Sequence, residues 1–309
     1  MTILWGGDTM VLQRIQEIRP LVPVRPFLKW AGGKGQLLKQ LEPLFPKAED
    51  IRRYHEPFLG SAAVYLHLIN SGWIQPAQAR LQDLNPTLIC AWKAMRDEPD
   101  ALIKRLRRLE KAYDPADPDT YYVNRERFNE LRGVQTLEAA SLLIALNRTC
   151  FNGLYRVNST GKFNVPVGRY SNPRILDEPN IWAVHGALQG TELENTGFNA
   201  TLEAAQSGDF VYFDPPYEPL SRTSTFRNYS KDGFSQDNQR DLAEIFETLT
   251  NQGVKCMLSN SVAPFILELY EDLAKRNRSI TLHRVQARRS ISASAGSRAP
   301  IDELLVTNY

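Results

Sequence analysis

"RYHEPFLGSAAVYLHLIN", residues 53–70, followed by "ARLQDLNP", residues 79–86, is the part of this chain that decides its architecture. The first stretch begins as a short strand, turns at Gly60 and continues as a helix. The second is another strand, stopped by Asp83, Asn85 and Pro86. Strand, glycine turn, helix and strand make a βαβ unit, the seed of a parallel sheet. After residue 178 the same alternation returns, with a strand at 210–213, a helix near 236–251, the strand "VKCMLSN", a helix at 263–276, and the closing strands "ITLHRVQA" and "DELLVTNY". Residues 96–146 are long, charged and helical, and a polar hairpin-like segment follows to about 174. The expected fold is α/β: a doubly wound, Rossmann-like sheet interrupted by a helical and β-hairpin insertion of roughly 80 residues, the size of a small domain. The expected divisions are a tail over 1–24, a sheet domain from 25–95 and 175–309, and the insertion over 96–174.

A chain of 309 residues has room for such a domain and its core. No stretch is apolar enough to span a bilayer, and the first 24 residues lack the basic start and apolar centre of a signal peptide, so a cytoplasmic protein is expected. Cys90, Cys150 and Cys256 lie far apart without CxxC spacing, and there is no HExxH. Neither a disulfide framework nor a metal site is suggested. The formal net charge is only +2, yet residues 19–39, 145–174 and 274–298 carry basic residues and no acid. That pattern suits a polyanion, whose phosphates need local positive charge; it equally suits solvated faces balanced elsewhere.

"DFVYFDPPYEPL", residues 209–220, carries the most specific chemistry. Proline cannot donate to a strand ladder, so Pro215 and Pro216 stop the strand and stiffen the loop after it. Asp214 and Tyr217 are thereby delivered to its carboxyl end. An acid and a tyrosine so placed suit a planar ring bearing an amino group. The Asp214 carboxylate accepts one N–H, the Pro215 carbonyl accepts the other, and Tyr217 stacks on the ring face. A carboxylate is the better acceptor where positive charge develops on the nitrogen, and positioning does most of the work. A proline-stopped strand with a capping acid is the plain alternative for a bare DPP, but not for the full Asp-Pro-Pro-Tyr.

Gly60, followed by Ser61, Ala62 and Ala63, lets a ligand approach the helix start, and Asp83 ends the next strand where an acid can accept from ribose hydroxyls. Taken alone, those two features read more readily as a tight turn and a cap. "FLKWAGGKGQLL", residues 27–38, lacks phosphate-loop spacing, because no glycine stands five before Gly33 and Gly35 follows Lys34. It does place a cation and the Trp30 ring beside a turn. In "NRTCFNGLYRVNSTGKFNVPVGRY", residues 147–170, alternating segments flank a turn at Asn158–Gly161, which predicts a β-hairpin. Its arginines, asparagines and aromatics are groups that read base edges and fill gaps in a base stack, although an ordinary polar hairpin has the same look.

Together, "PFLKWAGGK", "EPFLG", "DLNP", the 147–170 segment, "DFVYFDPPY", "LSNS" and "DELLVTNY" resemble, in order, the Dam family of adenine-specific DNA methyltransferases, the D12 class of the alpha group. The resemblance implies a methyltransferase sheet with an inserted target-recognition domain. It further implies methyl transfer from S-adenosyl-L-methionine to N6 of an adenine flipped out of double-stranded DNA, with GATC as the leading site. By the same likeness Asp214, Pro215, Pro216 and Tyr217 are catalytic, and Trp30, Lys34, Glu56, Phe58, Gly60, Asp83 and Asp214 bind the cofactor. Lys29 contacts a guanine, and Phe151 (as a wedge), Asn152, Leu154, Arg156 and Asn158 meet DNA. Ala62 stands where most members have a second glycine, and Phe151 where tyrosine is common. A monomer in the cytoplasm, associated with the nucleoid, is expected, with no metal. The other readings are methylation of an amine in RNA or a glutamine side chain, and a DNA-binding relative without turnover.

Overall fold

The structure, a computed structural model, describes residues 23–220, 234–287 and 301–309. The tail expected over 1–24, except its last two residues, and the part of the basic segment from 288 to 298 therefore lie outside the described residues. The chain enters through short helical turns, including α1 (Leu38–Leu41), to strand β1 (Tyr54–Glu56). Helix α2 (Ala63–Asn70) crosses to β2 (Ala79–Gln82), which pairs parallel to β1 with Tyr54 opposite Ala79. Strands β3 (Glu192–Glu194), β4 (Phe210–Phe213), β5 (Lys255–Ser261), β6 (Thr281–Ala287) and β7 (Ile301–Thr307) complete a seven-stranded sheet of order β3-β2-β1-β4-β5-β7-β6. Among the described strands only β7 runs against its neighbours.

This is a Rossmann-like methyltransferase sheet. Its order reverses between β1 and β4, and the crevice outside the carboxyl ends of strands at such a point is where open α/β sheets bind ligands. Glu56 ends β1 there and Asp214 follows β4.

The central strand β4 is apolar on both sides because both sides are covered. Along β4, Phe210 and Tyr212 join the core beneath α2 and α3 (Pro86–Asp97), with Tyr65 and Trp92. The alternate residues Val211 and Phe213 join a separate core under α9 (Gln236–Asn251) and α10 (Pro264–Arg276), with Phe246 and Tyr270. Between β2 and β3 lie α4 (Pro99–Ala112), α5 (Asp119–Glu130), α6 (Leu137–Thr149) and α7 (Glu178–Ala187). Helix α6 is buried along nearly its whole length.

Several expectations change in detail. The 147–170 hairpin forms only two isolated bridges, Cys150 with Val167 and Val157 with Phe163. The reason is visible at Phe163, whose N–H and C=O are both taken by the Asn129 side chain of α5, at 2.8 and 3.1 Å, in place of a ladder partner. "GGKGQLLKQLEPLF" is a broken series of short helical turns rather than one helix. Helices α3 and α7 and strand β3 lie outside the expected elements. Glu-Leu-Glu is too short to show a period, while α3 announces itself only by its Asn85 cap, whose Oδ1 accepts from Thr87 N and Leu88 N at 3.1 and 3.2 Å, and by Pro86 after it.

Phe213→Ala should empty a fully buried site between the sheet and α9, costing about 3–5 kcal/mol. A urea midpoint within error of wild type would contradict this packing.

Candidate active site

The centre of the site is Asp214. Strand β4 is fully buried, and the two prolines end its ladder one residue later, so the carboxylate stands at the carboxyl end of the central strand, beside Lys34. Lys34 Nζ lies 2.6 Å from Asp214 Oδ1, donates to Gly32 O at 2.7 Å, and sits 4.7 Å from the centroid of the Tyr217 ring. The lysine side chain is only 4 % exposed. Burial raises the Asp214 carboxyl above its ordinary value, and the Lys34 ammonium pulls it back down.

The loop after Asp214 is anchored on three elements. Tyr217 OH donates to Glu303 Oε2 of β7 at 2.7 Å, and Pro216 O accepts from Gln239 Nε2 of α9 at 3.1 Å. Asn260 of β5 gives its amide N–H to Gln239 Oε1 at 2.9 Å and accepts from Glu218 N at 3.3 Å. Glu56, at the end of β1, accepts on Oε2 from Tyr54 OH at 2.8 Å and Tyr65 N at 3.2 Å. Burial pushes its carboxyl up to about 8, with the nearby Asp214 charge adding to the rise and the Tyr54 hydrogen bond opposing it.

Beside this group lies the glycine turn. Gly60 has φ +47°, and a Cβ there would sit 3.0 Å from the Trp30 ring, so only glycine lets the tryptophan close over the turn. Gly60 N donates to Asp83 Oδ2 at 3.0 Å, Asn85 N donates to Asp83 Oδ1 at 2.9 Å, and Trp92 Nε1 donates to Gly60 O at 3.2 Å. Burial raises the Asp83 carboxyl, and these two backbone donors oppose the rise. Ala62 also takes a left-handed backbone, φ +55°, a conformation glycine adopts without the Cβ penalty.

Phe58 stands apart from the turn, stacked on Phe198 at 5.5 Å and edge-on to Phe234 at 5.6 Å. Neither partner belongs to the motifs that the sequence sets apart. Phe198 follows the short β3, and an aromatic after a strand end is the one signal that would have found it.

The segment expected to read DNA is joined to the same site. Trp30 stacks on Tyr155 with centroids 5.1 Å apart. Lys29 Nζ donates to Tyr170 OH at 3.2 Å, and its stem lies across Gly153. Phe151 is 48 % exposed, Asn152 next to it has φ +55°, and Leu154 follows. Arg156 donates from Nε to Asn164 Oδ1 at 2.8 Å and from NH2 to Asn164 O at 3.1 Å. Asn158 Oδ1 accepts from Thr160 N, Thr160 OH and Lys162 N at 2.8–3.0 Å and closes the turn. The structure thus brings Lys34, Asp214 and Tyr217 into one group and Trp30, Gly60 and Asp83 into a second.

A parallel sheet whose switch point carries an acid, two prolines and a tyrosine defines a Rossmann-like methyltransferase. The chain belongs to the D12 class N6 adenine-specific DNA methyltransferases, whose family model matches residues 30–291. It is 38% identical over 293 residues to the Type II methyltransferase M1.LlaDCHI of Lactococcus lactis subsp. cremoris, covering 93% of this chain and 96% of that protein. To the Type II methyltransferase M.MjaIII of Methanocaldococcus jannaschii it is 38% identical over 296 residues, covering 93% of this chain and 99% of the relative. The DNA adenine methylase of Salmonella typhi is 36% identical over 281 residues, 91% of this chain and 94% of that protein. The protein is therefore an adenine-specific DNA methyltransferase using a methyl donor. Among the described residues no helix is long and apolar enough to cross a membrane.

The folded state holds the Glu56 proton up to about pH 8, whereas the carboxyl's ordinary value is 4.5. Unfolding releases that proton in between, so the stability it supplies is complete below about 4.5 and is lost as pH rises through about 8. Glu56→Gln should flatten this part of the stability curve. Urea unfolding at a series of pH values would show it, and an unchanged slope would count against a protonated Glu56.

Proposed function

We propose that the protein moves the methyl group of S-adenosyl-L-methionine to N6 of an adenine flipped out of duplex DNA, at GATC. The observation that carries this reading is the joint placement of Asp214 and Tyr217 beside Lys34, within a loop tied to β5, β7 and α9. The adjoining turn fits the cofactor: a glycine whose missing Cβ admits the Trp30 ring, a buried Asp83 carboxylate at the next strand end, and an aromatic face at Phe58. Trp30, Lys34, Glu56, Phe58, Gly60, Asp83 and Asp214 are the residues proposed to hold it. When bound, it supplies a methyl group on a sulfonium, an electrophile that needs only an oriented nitrogen lone pair.

The protein's own residues supply that orientation. Asp214 accepts one N–H of the adenine amine and the Pro215 carbonyl the other, while Tyr217, fixed by its bond to Glu303, stacks on the ring. Burial raises the Asp214 carboxyl, and Lys34 opposes that rise, favouring the ionised acceptor. Glu56, held neutral, spares Asp214 a second negative charge close by. The segment 96–174 is proposed as the recognition domain. In it Arg156 reads guanine together with Lys29 from the strap before the turn, exposed Phe151 fills the gap left by the flipped base, and Asn152 and Leu154 flank it. The GATC assignment rests on the likeness of these residues to those of GATC-reading relatives. A cytoplasmic, nucleoid-associated monomer is the accompanying proposal.

Asp214→Ala should cut transfer of tritiated methyl from labelled cofactor into a GATC duplex by at least about 10²–10³-fold, while mobility shift still detects DNA binding. Full transfer by that variant would remove the mechanism. Arg156→Ala should lower discrimination between GATC and its single-base variants by about 1–3 kcal/mol, and unchanged discrimination would refute its reading role.

A further inference from the structure

The segment 24–29 is not part of the sheet, yet three asparagines each hold one of its residues by both backbone groups, as a strand neighbour would. Asn70 of α2 accepts from Val24 N and donates to Val24 O, both at 2.9 Å. Asn180 of α7 does the same to Arg25, both at 3.0 Å. Asn147 of α6 does the same to Lys29, both at 2.8 Å. Asn147 alone goes further: its amide nitrogen also donates to Gly153 O at 2.9 Å. The residue is 2 % exposed, and both N–H groups of its amide are used.

Gly153 closes the Phe151–Gly153 turn, where Asn152 and Gly153 both have positive φ, +55° and +65°. A Cβ on Gly153 would collide with the Lys29 stem. One residue beyond Lys29 is Trp30, the ring that closes over Gly60. A single buried amide therefore joins the backbone of the turn bearing the proposed wedge to the strap that carries the proposed guanine contact and the lid of the cofactor turn. Among the described residues the hydrogen bonds of Asn70 and Asn180 go to the strap and not to the recognition turn.

We infer that Asn147 is a positioning residue that couples site reading to cofactor binding. A shift of the 151–154 turn on cognate DNA pulls on Gly153 O, moves Lys29 through the shared amide, and so alters how Trp30 closes on the cofactor turn. By reciprocity, cofactor binding presets the reading turn. This inference rests on the methyltransferase reading above.

The experiment compares Asn147→Ala with Asn180→Ala, which removes an equivalent backbone clamp from the same strap away from the recognition turn. Two quantities are measured: the kcat/KM ratio for GATC over its single-base variants, and the tightening of S-adenosylhomocysteine binding by cognate duplex. Asn147→Ala should lose about tenfold or more in both, while Asn180→Ala stays within about twofold of wild type. Equal losses in the two variants, or wild-type values in Asn147→Ala, overturn the inference. Should Asn147→Ala not fold, amide hydrogen exchange on the wild-type protein decides: S-adenosylhomocysteine alone should slow residues 151–157 together with 27–33, and an unaffected 151–157 overturns it. Wild-type transfer to adenine N6, measured in parallel, separates failure of this inference from failure of the functional reading on which it rests.

Discussion

One ion pair carries the electrostatics of the site. Asp214 stands at the end of a strand buried on both faces, where a lone carboxylate would take up a proton and cease to be a strong acceptor. The Lys34 ammonium, 2.6 Å away and itself buried, opposes that uptake, and it is delivered by a short helical turn before β1. The partners around the pair are disposed to the same end. Glu56 lies close enough to add repulsion and is kept neutral by burial, while Tyr217 offers its ring to Lys34 and donates a hydrogen bond from its hydroxyl to Glu303. Burial raises both carboxyls, but only Asp214 has a cation against it to oppose the rise directly.

The second constraint is how a strap without secondary structure is held still. Backbone N–H and C=O groups must find partners when water is excluded, and a strap outside the sheet has no ladder to provide them. Asparagine meets the need because its side chain carries the same donor and acceptor as a peptide. Asn70, Asn180 and Asn147 do this for Val24, Arg25 and Lys29, and Asn129 does it for Phe163 in the recognition segment. These contacts tie α2, α5, α6 and α7 to segments that would otherwise be loose, so Lys29, Trp30 and Lys34 occupy defined places although none lies in a long element.

How much of the fold and site is legible in the sequence depends on the range of the signal. The βαβ unit, the 210–213 strand and the helices at 236–251 and 264–276 announce themselves through local periodicity and through Pro and Gly at their ends. Strand β3 has three residues and no period, so neither it nor the Phe198 that follows it stands out, and the aromatic partner of Phe58 stays hidden with them. The expected hairpin fails in its ladder for a nonlocal reason: the bonds at Phe163 go to Asn129, far back in the chain.

The sequence by itself determined the parallel α/β class, the acid and tyrosine delivered by a proline-stopped strand, and the family resemblance, because each depends on neighbouring residues or on ordered motifs. The tertiary structure alone decided that Lys34 meets Asp214 from far along the chain, that Glu56 is buried deeply enough to keep its proton, and that Asn147 serves two segments at once. Charge pairing, desolvation and shared hydrogen bonds act through space, and residues distant in the chain become neighbours only when the sheet and its helices have closed.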